Sequence, residues 1–531
     1  MWKKRQKVPE EGGIRIPDSG SRRFDADSGN GIIVESSRKK ARRQIVFTAV
    51  VFVLLFAVMT AYFFSYAFIN RRWLFDSDYN GRDALLEEHN LRGKILSSGG
   101  ETLAYSEEDN TRVYPYGEEF CHVVGYSILG GSGIEEYMKY ELLHSDIPFE
   151  SKLSCDRDDQ KYPGNNVNTT LDVQMQDIVY SELGDDRGAV IVTEPSTGKI
   201  LAMVSKPDYD PNEIASIWEF LRTDESGSAQ LVNRATQGLY PPGSTFKIVD
   251  SIEFLQEDPS NFNTFSFNCE DGIYENGDES IHCFDYEHHY QQNLEQAFAH
   301  SCNSAFAKIV TEDIDLYRFR QTLKRLMFDQ DLPYDLPYSV SHSQLLEDGD
   351  ISTHNLMQVA IGQGRTEVSP LHMNMITMAV ANKGVLMRPY LVDNVCTAEG
   401  RELKKYTATT AGTLLDEETA SYVRRLMRGV TRVTYNSEDG SSVWGTASEF
   451  DGTQTYTAFG KTGTAEFGED EDEENSHAWF TGFAVDADKG EDGDPDLCIT
   501  VLIENGGVGS DRAVPIAKRI LDRWYGEGGS W

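Results

Sequence analysis

One long apolar run interrupts the mixed polar and hydrophobic pattern near the start of the chain. The segment "IVFTAVVFVLLFAVMTAYFFSYAFI", residues 45–69, carries no charge over 25 positions. As a helix it would be about 37 Å long, which exceeds a hydrocarbon core of about 30 Å. The run therefore predicts one membrane-spanning helix. A cleaved signal peptide is the alternative, but its apolar region is about 7 to 15 residues long and small residues follow it.

Beyond this run, strand-like alternation comes first, helical periodicity follows, and strand-like alternation returns. The early strands surround Pro-Ser-Thr-Gly, which is typical of a hairpin turn. Helical spacing dominates from about residue 243 to residue 382. The hairpin is predicted at residues 187–205 and a closing helix at residues 513–525. The late strands are predicted at residues 456–467, 477–488 and 497–506. This order predicts an α+β domain in which both ends of the chain contribute to one antiparallel sheet.

A smaller region lies between the apolar run and this domain. The segment "NLRGKILSSGGETLAYS", residues 90–106, predicts a strand, a glycine turn and a second strand. We therefore expect a small β-rich module at residues 70–165 and the larger domain at residues 166–531.

Charge is distributed unevenly on the two sides of the apolar run. Residues 1–44 hold twelve Lys and Arg against six Asp and Glu and end in "RKKARR". Positive charge stays on the cytoplasmic side, so this tail is predicted to be cytoplasmic and the rest of the chain, from residue 70, to lie outside. The formal net charge of the whole chain is −37 and the tail contributes +6, so the residues beyond the tail carry −43. This charge argues against nucleic acid or an anionic lipid surface as a partner.

All seven cysteines also lie beyond the apolar run. An odd number in an oxidising compartment leaves at least one thiol free or paired between chains. Cys269 and Cys283 bracket a loop that contains glycine, and we predict that they form a disulfide. His282, His288 and His289 lie nearby, but neither Cys-x-x-Cys nor His-x₃-His spacing occurs there, so we predict no metal site.

Candidate chemistry begins at "YPPGSTFK", where Ser244 precedes Lys247 by three residues. A serine after Pro-Pro-Gly is a common helix cap, and that is one interpretation. The other is a nucleophile with a lysine base, since residues three apart share a helix face. A lysine can act as a base only if burial or a nearby cation lowers its pKa.

Two further motifs follow in a fixed order: Ser301-Cys-Asn303 and Lys461-Thr-Gly463-Thr464. Ser-x-Asn alone carries little information because it recurs elsewhere, whereas Lys-Thr-Gly occurs once. Lys461 would supply a cation that lowers the pKa of Lys247. The ordered set favours the nucleophile over the simple cap.

The segments "YPPGSTFK", "SCNSAF", "FGKTGTAEF" and "HAWFTGFA" together resemble the penicillin-binding proteins and serine β-lactamases. The likeness is greatest to class B penicillin-binding proteins, the monofunctional transpeptidases of peptidoglycan synthesis, and it covers roughly residues 165–525. "RGKI" and "GGSGIEEYMKYEL" resemble the pedestal of that family. The resemblance implies a five-stranded antiparallel sheet flanked by helices, a β-rich pedestal and one transmembrane helix.

The resemblance also implies roles for individual residues. Ser244 would attack the penultimate D-Ala carbonyl of a stem pentapeptide, and Lys247 would take its proton. Ser301 would relay protons and Asn303 would hold the substrate amide. Lys461, Thr462 and Thr464 would bind the terminal carboxylate. The backbone N–H groups of Ser244 and Thr464 would form the oxyanion hole. Gly463 would leave room for the substrate strand, which a side chain there would block.

The same resemblance implies partners and leaves alternatives open. It implies no cofactor, β-lactams as inhibitors, and a membrane glycosyltransferase of the SEDS (RodA/FtsW-like) family as a partner. A β-lactam sensor or β-lactamase-like protein is one alternative function, and a catalytically silent scaffold of cell-wall synthesis is another. The motifs do not separate a transpeptidase from a D,D-carboxypeptidase, nor division from elongation or sporulation.

Overall fold

The computed structural model describes residues 30–69, 82–223, 227–435, 442–466 and 476–526. The chain divides into two compact units, Met1–Gly81 and Arg82–Trp531. Residues 1–29 of the predicted cytoplasmic tail lie outside the described residues.

The first unit contains helix α1, Asn30–Ile69. Its segment Lys39–Tyr66 has a mean hydropathy of 2.6 and is 0% buried, so it is long and apolar enough to cross a membrane. Most of the predicted span lies within this segment. Its apolar side chains are exposed along this segment.

The second unit contains many short elements and a few long ones. Its α-helices are α2 Arg82–His89, α3 Cys121–Val124, α4 Gly133–Tyr137, α5 Lys139–Leu143, α6 Phe149–Arg157, α7 Val173–Leu183, α8 Ile214–Thr223, α9 Lys247–Glu257, α10 Asn261–Thr264, α11 Leu294–Ala299, α12 Asn303–Lys308, α13 Leu316–Arg325, α14 Thr353–Ala360, α15 Pro370–Ala381, α16 Glu417–Val430 and α17 Gly509–Gly526. Single 3₁₀ turns are Gly117–Phe120, Gly243–Phe246, Phe284–Tyr286, Gln344–Leu346, Ser448–Phe450 and Ala487–Lys489, and a π-helical turn is Ile309–Asp313.

The strands belong to one large sheet, one smaller sheet and several pairs. They are β1 Asn90–Leu91, β2 Ile95–Leu96, β3 Thr102–Ser106, β4 Arg112–Val113, β5 Tyr162–Pro163, β6 Asn166–Thr169, β7 Gly188–Thr193, β8 Ile200–Lys206, β9 Ser266–Cys269, β10 Ile273–Asn276, β11 Glu279–His282, β12 Tyr290–Asn293, β13 Val385–Met387, β14 Val392–Cys396, β15 Glu402–Lys405, β16 Thr410–Thr413, β17 Val433–Tyr435, β18 Ser442–Trp444, β19 Tyr456–Glu466, β20 Ser476–Asp486 and β21 Leu497–Ile503.

The large sheet has five antiparallel strands in the order β19-β20-β21-β7-β8. The predicted hairpin forms β7 and β8, and the three predicted late strands form β19, β20 and β21, so the predicted antiparallel sheet from both ends of the domain is confirmed. Every residue of β7 and β21 is buried. Consecutive side chains of a strand point to opposite faces, so the sheet is covered on both sides. Helices α15 and α17 pack on it.

A second sheet joins the early region to the main domain. Its six strands run in the order β15-β14-β6-β2-β3-β4. The predicted strand, turn and strand at residues 90–106 contain the antiparallel pair β2 and β3. Strand β2 also pairs in parallel with β6, which lies beyond residue 165, so this sheet crosses the predicted boundary. The boundary at residue 165 stays a prediction.

A buried ion cluster links two segments that resemble the pedestal. The Glu135 carboxylate is 0% exposed and lies 2.9 Å from Arg92 Nε and 2.7 Å from Arg112 Nε. Arg92 comes from "RGKI" and Glu135 from "GGSGIEEYMKYEL". A carboxylate buried between two guanidinium groups fixes these segments relative to each other, because separating the carboxylate from the guanidinium groups would leave unpaired buried charges.

Candidate active site

Ser244 lies in the 3₁₀ turn that leads into α9. Gly243 begins this turn with a φ of +53°, and a Cβ there would lie 2.5 Å from Thr464 O. Only glycine fits both demands. The first residues of the turn and of α9 receive no side-chain capping bond. The interpretation of Ser244 as a cap is therefore wrong in this structure.

Lys247 is the first residue of α9, and its side chain is completely buried. Its Nζ donates to Ser244 Oγ at 3.0 Å. The same nitrogen lies 2.7 Å from Asn303 Oδ1, 2.6 Å from Ser301 O and 3.3 Å from Ser301 Oγ. The structure thus brings together the serine and lysine of the first motif and both polar residues of the second.

The second motif forms a turn between α11 and α12. Ser301 has a φ of +57°, which is the left-handed region that residues other than glycine rarely adopt. The hydrogen bond from Lys247 to its carbonyl holds it there. Asn303 Nδ2 donates to His282 O at 3.1 Å, which orients the amide so that Oδ1 faces Lys247.

The third motif lies on β19, next to this turn. Lys461 is completely buried, and its Nζ donates to Ser301 Oγ at 2.8 Å and to Thr462 O at 3.1 Å. The Thr462 and Thr446 hydroxyls are 2.7 Å apart. Thr464 Oγ1 accepts a hydrogen bond from Gly509 N at 3.3 Å. Ser301 therefore lies between the two lysines.

Gly463 has a packing role within the protein itself. A Cβ there would lie 2.9 Å from Pro242 O, 3.0 Å from Thr245 Cγ2 and 3.1 Å from Trp479 Cβ. A side chain there would thus collide with the turn that carries Ser244, whereas the predicted role of Gly463 in leaving room for the substrate strand stays a prediction. Glycine lets β19 approach that turn closely, and this approach brings Thr464 near Ser244.

Burial controls the charges of both lysines. It lowers the pKa of Lys247 to about 8, although nearby Cys302, Cys283 and Asp250 oppose the shift. Burial, followed by repulsion from Lys247, holds the pKa of Lys461 well below its usual range. We predicted that Lys461 would lower the pKa of Lys247. In the structure burial has that effect, and the charge repulsion acts on Lys461.

Sequence reasoning missed Asp250, one turn along α9 from Lys247. Its side chain is completely buried, and neither carboxylate oxygen has a hydrogen-bond partner within the described part of the chain. Burial raises its pKa well above the usual value, whereas the charge of Lys247 acts in the opposite direction. A carboxylate directly after the apolar pair Ile248 and Val249 was the available signal.

The cysteine predictions need correction. Cys269 Sγ and Cys283 Sγ are 3.8 Å apart, and both thiols are free. A disulfide needs about 2.05 Å, so the predicted pair is not bonded in this structure. Cys302 and His289 join them, and the four potential ligand atoms lie within 4.8 Å of one another. We call these four residues the cysteine cluster. The spacing rules missed it because its members come from separate elements.

Comparisons with known proteins agree with the predicted family. The penicillin binding protein transpeptidase domain matches residues 188–522. The peptidoglycan D,D-transpeptidase PbpA of Mycolicibacterium smegmatis is 30% identical over 494 residues, which are 85% of this chain and 93% of that protein. The peptidoglycan D,D-transpeptidase MrdA of Haemophilus influenzae is 25% identical over 439 residues, which are 77% of this chain and 65% of that protein.

Solved structures give the same result. Penicillin-binding protein A from M. tuberculosis, in its ceftriaxone acyl-enzyme complex, has a TM-score of 0.70 and 26% identity, with 82% of this chain and 99% of that chain covered. The D,D-transpeptidase domain of a peptidoglycan glycosyltransferase from Eggerthella lenta has a TM-score of 0.68 and 30% identity over the same shares. From its fold, its three motifs and these relatives, the chain belongs to the penicillin-binding protein transpeptidase family, as a class B member.

Proposed function

We propose that this chain cross-links peptidoglycan stem peptides as a serine D,D-transpeptidase, with Ser244 as the nucleophile. The observation that carries the proposal is the contact of the buried Lys247 amine with both Ser244 Oγ and Ser301 Oγ. Burial lowers the pKa of this lysine to about 8, so a useful fraction is neutral near pH 7 and can accept the serine proton.

The reaction then proceeds in two acyl transfers. Ser244 Oγ attacks the carbonyl of the penultimate D-Ala, its proton passes to Lys247, and the bond to the terminal D-Ala nitrogen breaks. The leaving amine takes a proton through Ser301, which contacts both lysines. An acceptor amine attacks the resulting ester, a new amide forms, and the proton returns to Ser244.

The remaining motif residues bind the substrate in this proposal. Lys461, Thr462 and Thr464 would face its terminal carboxylate, whose negative charge would favour the protonated form of Lys461. Asn303 would hold a backbone amide of the stem peptide. The backbone N–H groups of Ser244 and Thr464 would stabilise the oxyanion, and the close approach of β19 to the Gly243 turn supports this pairing.

Covalent labelling tests the nucleophile. Detergent-solubilised full chain should form a stable ester with a fluorescent penicillin, and the mass increase should map to the peptide that contains "STFK". Ser244→Ala should not label, because the hydroxyl is gone, whereas Ser251→Ala should label normally. Ser251 is a matched control, since its hydroxyl is buried on the same helix and bonds only backbone, Lys247 O at 2.7 Å. Equal labelling of Ser244→Ala and the parent would refute the assignment.

The same experiment separates the alternatives. A β-lactamase would release the hydrolysed drug rapidly, and a silent scaffold would never label. Release of D-Ala from a peptide that ends in D-Ala-D-Ala, with formation of a new amide when an acceptor amine is present, distinguishes transpeptidation from simple hydrolysis. A sensor would label but would not release D-Ala from that peptide.

Membrane placement and a partner complete the proposal. The basic tail stays in the cytoplasm, α1 crosses the membrane, and residues 82–531 act on its outer face. The run of basic residues before the apolar segment supports this orientation. Cross-linking needs newly polymerised glycan, and we propose a SEDS-family glycosyltransferase as the membrane partner. Site-directed photo-cross-linking from α1 in native membranes should capture such a polymerase, and a variant with a shuffled span should not.

A further inference from the structure

The loop "IGQG", residues 361–364, follows α14 and reaches the start of the turn that carries Ser244. Gly243 N donates a hydrogen bond to Gly362 O at 2.9 Å. A Cβ on Gly362 would lie 2.1 Å from Gly243 O, so glycine allows this close approach. The backbone contact fixes the position of the next residue, Gln363, relative to the Ser244 turn.

The side-chain amide of Gln363 pairs with the backbone of Glu466, the last residue of β19. Gln363 Nε2 donates to Glu466 O, and Gln363 Oε1 accepts from Glu466 N, each at 2.9 Å. The orientation of the amide follows from these partners, because the reverse orientation would bring donor to donor and acceptor to acceptor. In a hydrogen-bonded pair of antiparallel strands, two residues exchange the same two bonds. Gln363 therefore takes the place of one residue of an added strand.

This contact lies on the free edge of β19, the side away from β20, since β19 is the outermost strand of the large sheet. Residues two apart in a strand direct their N–H and C=O groups to the same side. The groups of Thr464 therefore face the same edge as those of Glu466. In agreement, a Cβ on Gly243 would lie 2.5 Å from Thr464 O. Gln363 and the Ser244 turn thus meet one edge, about 7 Å apart along the strand.

The inference that follows rests on the proposed function, which places the stem peptide along this edge. The terminal carboxylate would lie at Lys461 and Thr462, and the reacting carbonyl at the Thr464 N–H. The peptide would then run antiparallel to β19. Two residues forward on one strand correspond to two residues back on the other, so the fourth residue from the peptide's C-terminus would lie opposite Glu466. There the pairing groups of β19 are already bonded to Gln363.

We propose that Gln363 caps the free edge of β19 and determines how much of the donor peptide the site recognises. The last three residues of the donor lie along the strand, and the fourth leaves it because the N–H and C=O groups of Glu466 are occupied. The site therefore selects the C-terminal end of the donor and is indifferent to the backbone before it. The cap also covers groups at a sheet edge that could otherwise pair with another chain.

Hydrogen–deuterium exchange tests the cap without any substrate. In the detergent-solubilised full chain, the Glu466 N–H should exchange roughly tenfold more slowly than in Gln363→Ala, because the amide protects it. Gln363→Asn should resemble Gln363→Ala, since its amide is one methylene too short. Gln358→Ala is the matched control and should match the parent, because Gln358 accepts from Gln363 N at 2.8 Å through its backbone carbonyl. Equal exchange in the parent and Gln363→Ala would overturn the cap.

Two matched donors test the specificity. N-acetyl-Gly-L-Lys-D-Ala-D-Ala and its analogue with sarcosine in place of glycine differ by one backbone N–H group, at the fourth residue from the C-terminus. In the parent and in Gln358→Ala, kcat/KM for D-Ala release should agree within about twofold for the two donors. In Gln363→Ala the glycine donor should gain roughly twofold to tenfold over the sarcosine donor, the net value of one hydrogen bond to Glu466 O.

The ratio between the two donors decides the outcome. An equal loss of kcat/KM for both donors in Gln363→Ala would show that Gln363 only braces β19, and would overturn the proposal. A preference of the parent for the glycine donor would do the same, because the fourth residue would then already be paired. If neither donor released D-Ala, the proposed function would fail, and the exchange measurement would still decide whether Gln363 caps the strand.

Discussion

The turn Ser301–Asn303 has a different chemical environment on each side. On one side lie two buried lysines, Lys247 and Lys461, whose amines make hydrogen bonds to the motif residues. On the other side lies the cysteine cluster, where the nitrogens of His289 have no hydrogen-bond partner within the described ranges. The lysine side is held by hydrogen bonds between charged and polar groups, whereas the cysteine side is held by the packing of buried thiols. The comparison shows that one short turn separates a polar face from a face of sulfur atoms.

The two sides also differ in how well the sequence predicts them. The lysine side could be predicted because each motif has a short, fixed spacing and the three occur in order. The cysteine cluster could not, because its members are 14, 6 and 13 residues apart and no regular element sets such spacings. The pairing of β9 with β12, the β10–β11 hairpin and the turn before α12 bring them together.

The fold also has one part that could be predicted from the sequence and one part that could not. The strands of the large sheet could be predicted because each is long and mostly apolar and a recognisable turn follows the first. The six-stranded sheet could not, because its strands are two to five residues long and come from distant parts of the chain. The packing role of Gly463 could not be predicted either, because sequence alone does not show that a neighbouring turn occupies the space of its Cβ.

Replacing Lys247 with alanine should have the largest effect on the acylation rate, which depends on the lysine side. The change removes the base, so acylation by penicillin should fall by roughly 10⁴-fold or more, as when a member of a catalytic triad is removed. The fold should stay intact, because the change opens no large apolar cavity. Stopped-flow labelling and thermal unfolding of the same sample measure both. Normal labelling at neutral pH would exclude Lys247 as the base.

Replacing Gly463 with alanine should disturb the lysine side from β19. The new Cβ would lie 2.9 Å from Pro242 O, so the strand must move away from the Ser244 turn. Acylation should fall by roughly 10²-fold, the cost of a misplaced oxyanion donor. Gly412→Ala is a suitable control, since nothing lies within 4 Å of a Cβ there. Equal acylation rates in the two variants would contradict the close approach of β19.

The rate of acylation should also rise with pH, because it depends on the charge of Lys247. The base must be neutral, and burial lowers the pKa of Lys247 to about 8, so the reactive form is a minority at pH 7 and dominates above pH 8. The rate should therefore increase about tenfold from pH 7 to its plateau. The charged and titratable groups that affect Lys247 are Asp250, Cys283, Cys302 and Lys461. A flat profile between pH 6 and pH 9 would rule out this titration.

The smallest effect is expected from replacing Asp250 with asparagine. Burial raises the pKa of this carboxyl well above its usual value, which favours its uncharged form. An amide has nearly the same shape and no charge, and it leaves the electrostatic environment of Lys247 almost unchanged. The acylation rate should change less than about threefold, and the apparent pKa should move by less than about half a unit. Acylation profiles of parent and variant, recorded in parallel, provide the measurement.

A shift of the apparent pKa by a full unit toward lower pH would show instead that Asp250 is ionised and keeps Lys247 protonated. The lysine side would then hold its own buried ion pair, and the two partners of that pair would titrate together.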